Sequence, residues 1–211
     1  MGNEGQWADA RRVEGWAGEV RVNLIRLAAL IAFYGHHLVN VYVLQGDPTL
    51  RGTYHATVTV VVLAWGFAVF VLYWCLSRRW VPPALKYVST LWDLFLITAL
   101  LVLTRDGPAS PLILLYFLVV ASSPLRLSLR LVYVATLGSV VAYLLLLGYY
   151  AFVLIGAERY YADSAVRIPR THQVIVVLAL GTAGVLAGQA VRQARRLVQG
   201  YPVAVEEAKE S

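Results

Sequence analysis

Residues 131–155 read LVYVATLGSVVAYLLLLGYYAFVLI, a run without one charged side chain. At 1.5 Å per helical residue this run reaches roughly 37 Å, against roughly 30 Å for the hydrocarbon core of a bilayer, so it crosses with room to tilt. The rest of the chain has the same character. Of 211 residues, 59% are hydrophobic and 14% charged, where soluble domains average about 45–50% and about 25%. Such a chain lacks the polar surface of a water-soluble globule. At about 20 residues per crossing, its length holds at most six or seven spans and no separate soluble catalytic domain. Soluble kinase, cyclase, nuclease and oxidoreductase folds are thereby excluded.

Outward from that run, apolar stretches and turn punctuation define six spans: 23–44, 54–76, 84–104, 112–125, 131–155 and 171–191. The breaks are Gly46-Asp47-Pro48, then Arg78-Arg79-Trp80-Val81-Pro82-Pro83, then Asp106-Gly107-Pro108 with Pro111. Pro124 closes the fourth span, and the polar segment from Glu158 to Arg170 separates the last two. The fourth stretch is short, so it either snorkels into 126–130 or thins the bilayer. The expected fold is all-α: a polytopic membrane protein with a bundle of six transmembrane helices. A cytoplasmic segment 1–22 precedes the transmembrane domain 23–196, and a cytoplasmic tail 197–211 follows, with Gly200 and Pro202 ending the last helix. No secretory signal is expected, because Arg11, Arg12, Glu14, Glu19 and Arg21 precede the first apolar stretch, which is too long for a signal core.

Orientation follows the cations. With the N-terminus inside, Arg51, Arg105, Arg159, Arg167 and Arg170 lie outside, and the other 13 of the 18 Lys and Arg residues lie inside. The positive-inside rule therefore places both termini in the cytoplasm. These cations are dispersed at span ends instead of clustered on a polar face, which argues against nucleic acid as a partner. Trp80, Tyr54, Tyr160 and Tyr161 read as interfacial belt residues. The single cysteine, Cys75, excludes an internal disulfide and a cysteine metal centre.

Several polar residues fall within the spans. Arg26, Lys86 and Arg192 lie near cytoplasmic ends, where long side chains snorkel to the headgroups. Asp93 sits near the middle of the third span, where an ionisable group is unfavourable by about 2.5–3.5 kcal/mol on insertion scales. It is either a structural carboxyl, hydrogen-bonded or facing a basic group of a neighbouring helix, or a proton or ligand site. His36, His37, His55 and His172 all fall toward the outer side. Imidazole ligates haem iron or chlorophyll-type magnesium and hydrogen-bonds quinone carbonyls, so His36 or His37 is a candidate cofactor ligand, with a packing role as the alternative. Adjacent residues point about 100° apart on a helix, so one of the two faces any given pocket, and His37 shares a face with Tyr34 and Asn40. Gly184 and Gly188 form a GxxxG, reinforced by Gly181, that suits close helix packing within the bundle or between copies. No nucleophile–base pair, metal-ligand set or phosphate-cradling loop is present, and enzyme activity is not expected.

The segment from Asp93 to Tyr150 combines a span with a buried Asp, the loop Thr104-Arg105-Asp106-Gly107-Pro108-Ala109-Ser110-Pro111-Leu112, a short fourth span, a basic turn and a long fifth span. This plan resembles the six-span sensor module of bacterial histidine kinases of the quinone-responsive redox-sensing type, and the membrane modules of some bacterial adenylyl cyclases. In those kinases the loop carries Gly-Gly-x-x-Asn-Pro-Phe. Here Gly107 and Pro111 match, while Asp106, Ser110 and Leu112 replace Gly, Asn and the aromatic residue. The resemblance implies a bacterial inner-membrane protein with Gly107, Ser110 and Pro111 near a quinone. A kinase would continue into phosphoacceptor and ATP-binding domains, whereas this chain stops at Ser211, so a module without an output domain is expected. The leading expectation is a non-catalytic sensor or signal-relay module, working as a homodimer or with other integral membrane subunits. The alternative is an accessory subunit of a respiratory or photosynthetic complex, holding quinone, haem or pigment near the outer face.

Overall fold

A computed structural model describes residues 2–43, 52–79, 82–103, 107–163 and 167–210. The described residues are helical throughout, without strands: α1 (Gly2–Tyr42), α2 (Thr53–Ser77), α3 (Leu85–Leu103), α4 (Leu114–Ser122), α5 (Leu129–Gly148), α6 (Ala157–Ala162) and α7 (Arg170–Glu210). Tight 3-10 turns at Pro111–Ile113 and Ser123–Arg126 flank α4, and α5 widens into a π-helical turn over Tyr149–Leu154.

Among the described residues, five helices are long and apolar enough to cross a membrane: Gly15–Tyr42, His55–Ser77, Leu85–Leu103, Leu129–Leu154 and Arg170–Arg196. The chain is on this basis a multi-pass membrane protein. The expected fourth span is the shorter apolar stretch Pro111–Arg126. Large apolar side chains lie on exposed as well as buried faces of these helices. In α2, Val58, Val61, Trp65 and Val69 turn inward at helical spacing, while Val60, Leu63, Phe67 and Phe70 are exposed. An all-round apolar helix with an uncovered face is built for lipid.

The core lies between α3, α4, α5 and α7, where Leu101, Tyr116, Leu131, Tyr143, Leu146 and Leu180 are sealed. Helix α2 packs on α3, and α1 packs on α2 and on the turn after α4. Hydroxyl groups that would be unfavourable in hydrocarbon are absorbed by helix carbonyls one turn back. Thr59 donates to His55, Thr90 to Lys86, Thr98 to Leu94, Thr136 to Val132 and Thr182 to Leu178, at 2.7–2.8 Å.

Helices α1 and α7 run without a break across 22/23 and 196/197, so each reaches beyond the membrane segment expected for it. Gly200 and Pro202 do not end α7; the fixed φ of proline is compatible with a helix, at the loss of one backbone hydrogen bond. Tyr160 is also no belt residue: it is 6% exposed and receives a hydrogen bond from Gln173 Nε2 at 3.3 Å. Trp80, the Gly46-Asp47-Pro48 turn, Thr104 to Asp106 and the side chains of Tyr54 and Tyr161 lie outside what is described.

Candidate functional site

Residues Glu19 and Arg26 stand seven apart, on one face of α1. Each finds an opposite charge deep in the bundle. Arg26 Nε donates to Asp93 Oδ2 at 2.7 Å, Nη2 donates to the same oxygen, and Trp65 Nε1 of α2 donates to Oδ1 at 3.2 Å. Arg26 and Asp93 are each 6% exposed. Between the charges, Asn23 Nδ2 donates to the Val69 carbonyl at 3.2 Å, and Trp16 Nε1 donates to the Leu76 carbonyl at the end of α2.

Glu19 pairs with Arg126 in the turn after α4, Oε2 to Nη2 at 3.0 Å, with both side chains buried. The Arg126 guanidinium also clamps the first turn of α3. Its Nη1 donates to the Lys86 carbonyl at 3.0 Å and to Thr90 Oγ1 at 2.7 Å, and its Nη2 donates to Ser89 Oγ at 3.2 Å. A planar fork of donors suits this multi-point role. The close fit extends to the backbone, since a Cβ on Gly18 of α1 would collide with the Leu125 carbonyl.

The next residue, Leu127, has φ +48°, a left-handed conformation that is unfavourable for a branched side chain. Its carbonyl accepts from Arg195 of α7, from Nη2 at 2.7 Å and Nε at 3.1 Å. Two adjacent residues therefore hold the buried charges on one side and α7 on the other. The four buried charges sum to zero. Their mutual attraction offsets desolvation only as a complete set, so removing one member strands its partner in a medium that cannot solvate it.

The expectation that Arg26 snorkels is overturned by its pairing with Asp93, whose hydrogen-bonded state with a basic neighbour was one of the alternatives. Sequence reasoning also left out Glu19 and Arg126. The available signal was four charges of balancing sign within or beside apolar stretches, two of them one helix face apart on α1.

At the opposite end of α1 the histidines separate as their angular spacing requires. His36 is exposed, as is His172. His37 Nε2 shares a hydrogen bond with His55 Nδ1 at 3.1 Å, and the two rings stack at 5.3 Å and 17°. Tyr42 Oη meets the other nitrogen of His55 at 3.3 Å, and Tyr34 stacks on His37 and bonds Thr59. This is an aromatic clasp between α1 and α2. Among the described residues no group of three or more His, Cys, Asp or Glu is placed to hold a metal.

The loop before α4 has its own geometry. Gly107 has φ +45° and is buried so close to Tyr150 that a Cβ would sit 2.9 Å from the ring. Ser110 Oγ accepts from Leu112 N at 3.3 Å and caps the 3-10 turn that Pro111 opens. Of the three glycines of α7, Gly184 faces α5 of the same chain, where an added Cβ would strike Thr136, while Gly181 and Gly188 have open space at that position.

No family model, curated protein or solved structure matches the chain.

Proposed function

We propose that the chain is a non-catalytic signal-relay module of six crossings, with Pro111–Arg126 as the short fourth span and both termini on the cytoplasmic side of a bacterial inner membrane. A change at the outer end of α1 and α2 is carried through the buried charges to α7, whose helix extends past the bundle as the output. The carrying observation is the pair Arg126–Leu127: one residue closes the ion network of α1 and α3, and the next holds α7 through Arg195. Coupling needs an element whose alternative arrangements both ends can bias. A strained turn gripped from two sides supplies one. The cation distribution supports the orientation, and the balance of apolar surface supports lipid contact on most faces.

The test is a distance measurement by pulsed electron resonance in nanodiscs. Spin labels replace the exposed Arg130 and Arg196 in a Cys75→Ser background. Arg195→Ala should broaden this distance directly. Glu19→Gln, which touches no residue of α7 in the contacts above, should broaden it too. A Glu19→Gln protein with an unchanged distance would refute relay through the turn.

A further inference from the structure

Beside the Arg26–Asp93 pair lies a cavity of about 20 Å³. It is walled by Val22, Ile25 and Ala29 of α1 and by Leu115, Leu118 and Val119 of α4, with Trp65, Asp93 and Ile97 behind. Arg26 and Ser122 also line it. The Nη1 atom of Arg26 is buried and has no hydrogen-bond partner, although Nε and Nη2 both donate to Asp93 Oδ2. A guanidinium cannot shed a proton to escape this, and a buried unused N–H is among the more unfavourable things a fold can contain.

We infer that this cavity is a binding site for one ordered water molecule, which accepts from Arg26 Nη1 and donates to Ser122 Oγ and to the Asp93 carboxylate. The volume suits one water, whose site needs roughly 10–15 Å³ by this kind of measure and two to four polar partners. Acceptor capacity is available. Ser122 Oγ spends its proton on the Val119 carbonyl at 3.0 Å, leaving its lone pairs, and Asp93 Oδ1, which accepts from Trp65 Nε1, has a second lone pair. An inorganic anion is disfavoured, because Asp93 already neutralises Arg26 and lines the same space.

The site has structural reach. Helices α1 and α4 share few direct contacts, and α1 reaches this region mainly through the turn that follows α4. A water between Arg26 and Ser122 is a polar link between the two helices themselves, one turn short of the Arg126 clamp. The inference rests on the cavity and the unused N–H, and stands independently of the relay reading.

Solid-state NMR on full-length protein in nanodiscs, labelled with ¹⁵N-arginine, tests it through magnetisation transfer from water. The Arg26 Nη signal should build up from water as fast as those of exposed arginines, and Ser122→Ala, a helix-compatible change, should slow that build-up several-fold. An Arg26 that receives magnetisation from lipid acyl protons and not from water would overturn the proposal. Equal build-up in wild type and Ser122→Ala would also overturn it, since Ser122 would then not hold the water. An Ala29→Val protein, in which the added methyls intrude on the cavity, should lose the water signal while keeping its thermal transition.

Discussion

Replacing Asp93 with leucine exposes the energetics of the buried charges most directly. The carboxylate accepts from Arg26 Nε at 2.7 Å, from Arg26 Nη2 and from Trp65 Nε1 at 3.2 Å. Asp93→Leu leaves a guanidinium that is 6% exposed without its counter-ion, and breaking a buried pair from one side typically destabilises by about 3–5 kcal/mol. At about 1.4 kcal/mol per decade, that is roughly a 10²- to 10³-fold shift in the folding equilibrium. Arg26→Met should be milder, because an isolated carboxyl can take up a proton whereas arginine cannot lose one. The double variant Arg26→Met/Asp93→Leu removes both charges and fills the space with apolar atoms, so it should lie within about 1–2 kcal/mol of wild type or above it. Reversible unfolding in mixed micelles, followed by tryptophan fluorescence, reports the cycle, with Trp65 on the pair itself. A double variant whose loss equals the sum of the single losses would refute the reasoning, since the charges would then be solvated separately.

Five other perturbations follow from the geometry. Gly184→Leu should separate α5 from α7 and lower the thermal midpoint sharply, while Gly181→Leu should be tolerated; comparable losses at both would refute the Thr136 contact as the cause. Gly107→Ala combines a left-handed φ with a clash against Tyr150 and should destabilise by about 1–3 kcal/mol, whereas Ser110→Ala, which loses a cap, should cost about 1 kcal/mol; unfolding midpoints rank the two. The His37–His55 hydrogen bond, with Tyr42 on the other His55 nitrogen, ties this end of α1 to α2. A spin-label distance between the ends of α1 and α2 that carry His37 and His55 should broaden in a His37→Phe protein, and an unchanged distance would refute the hydrogen bond as the tie.

What the sequence made legible was the property that hydrophobicity encodes locally. The apolar runs at 54–76, 84–104 and 131–155 coincide with α2, α3 and the continuous α5 to within a few residues, because lipid imposes one requirement on every residue of a span. Pairing is different. Glu19 and Arg26 look like the polar flank of a membrane helix when read alone, and only the approach of α3 and of the turn after α4 turns them into core residues. Asp93 stood out because a charge in mid-span has no bland local account, whereas Arg126 was hidden by its place at the end of a short span. The histidines show the same division: angular spacing separated His36 from His37, but the partner His55 lies on another helix. The GxxxG pattern marked close packing without stating which neighbour makes it, and in α7 that neighbour at Gly184 is α5 of the same chain.

The long sequence separation of the buried charges has a consequence for biogenesis. Arg26 and Asp93 lie 67 residues apart. At a synthesis rate of about 5–20 residues per second, the first helix leaves the ribosome roughly 3–13 s before its counter-ion exists. Until then it carries the unpaired Arg26, a charge that disfavours partitioning into lipid by up to about 2.5–3.5 kcal/mol, on the least hydropathic of the five long spans. Partitioning of the first helix into lipid therefore becomes more favourable once the third helix and the turn after the fourth have emerged to supply Asp93 and Arg126.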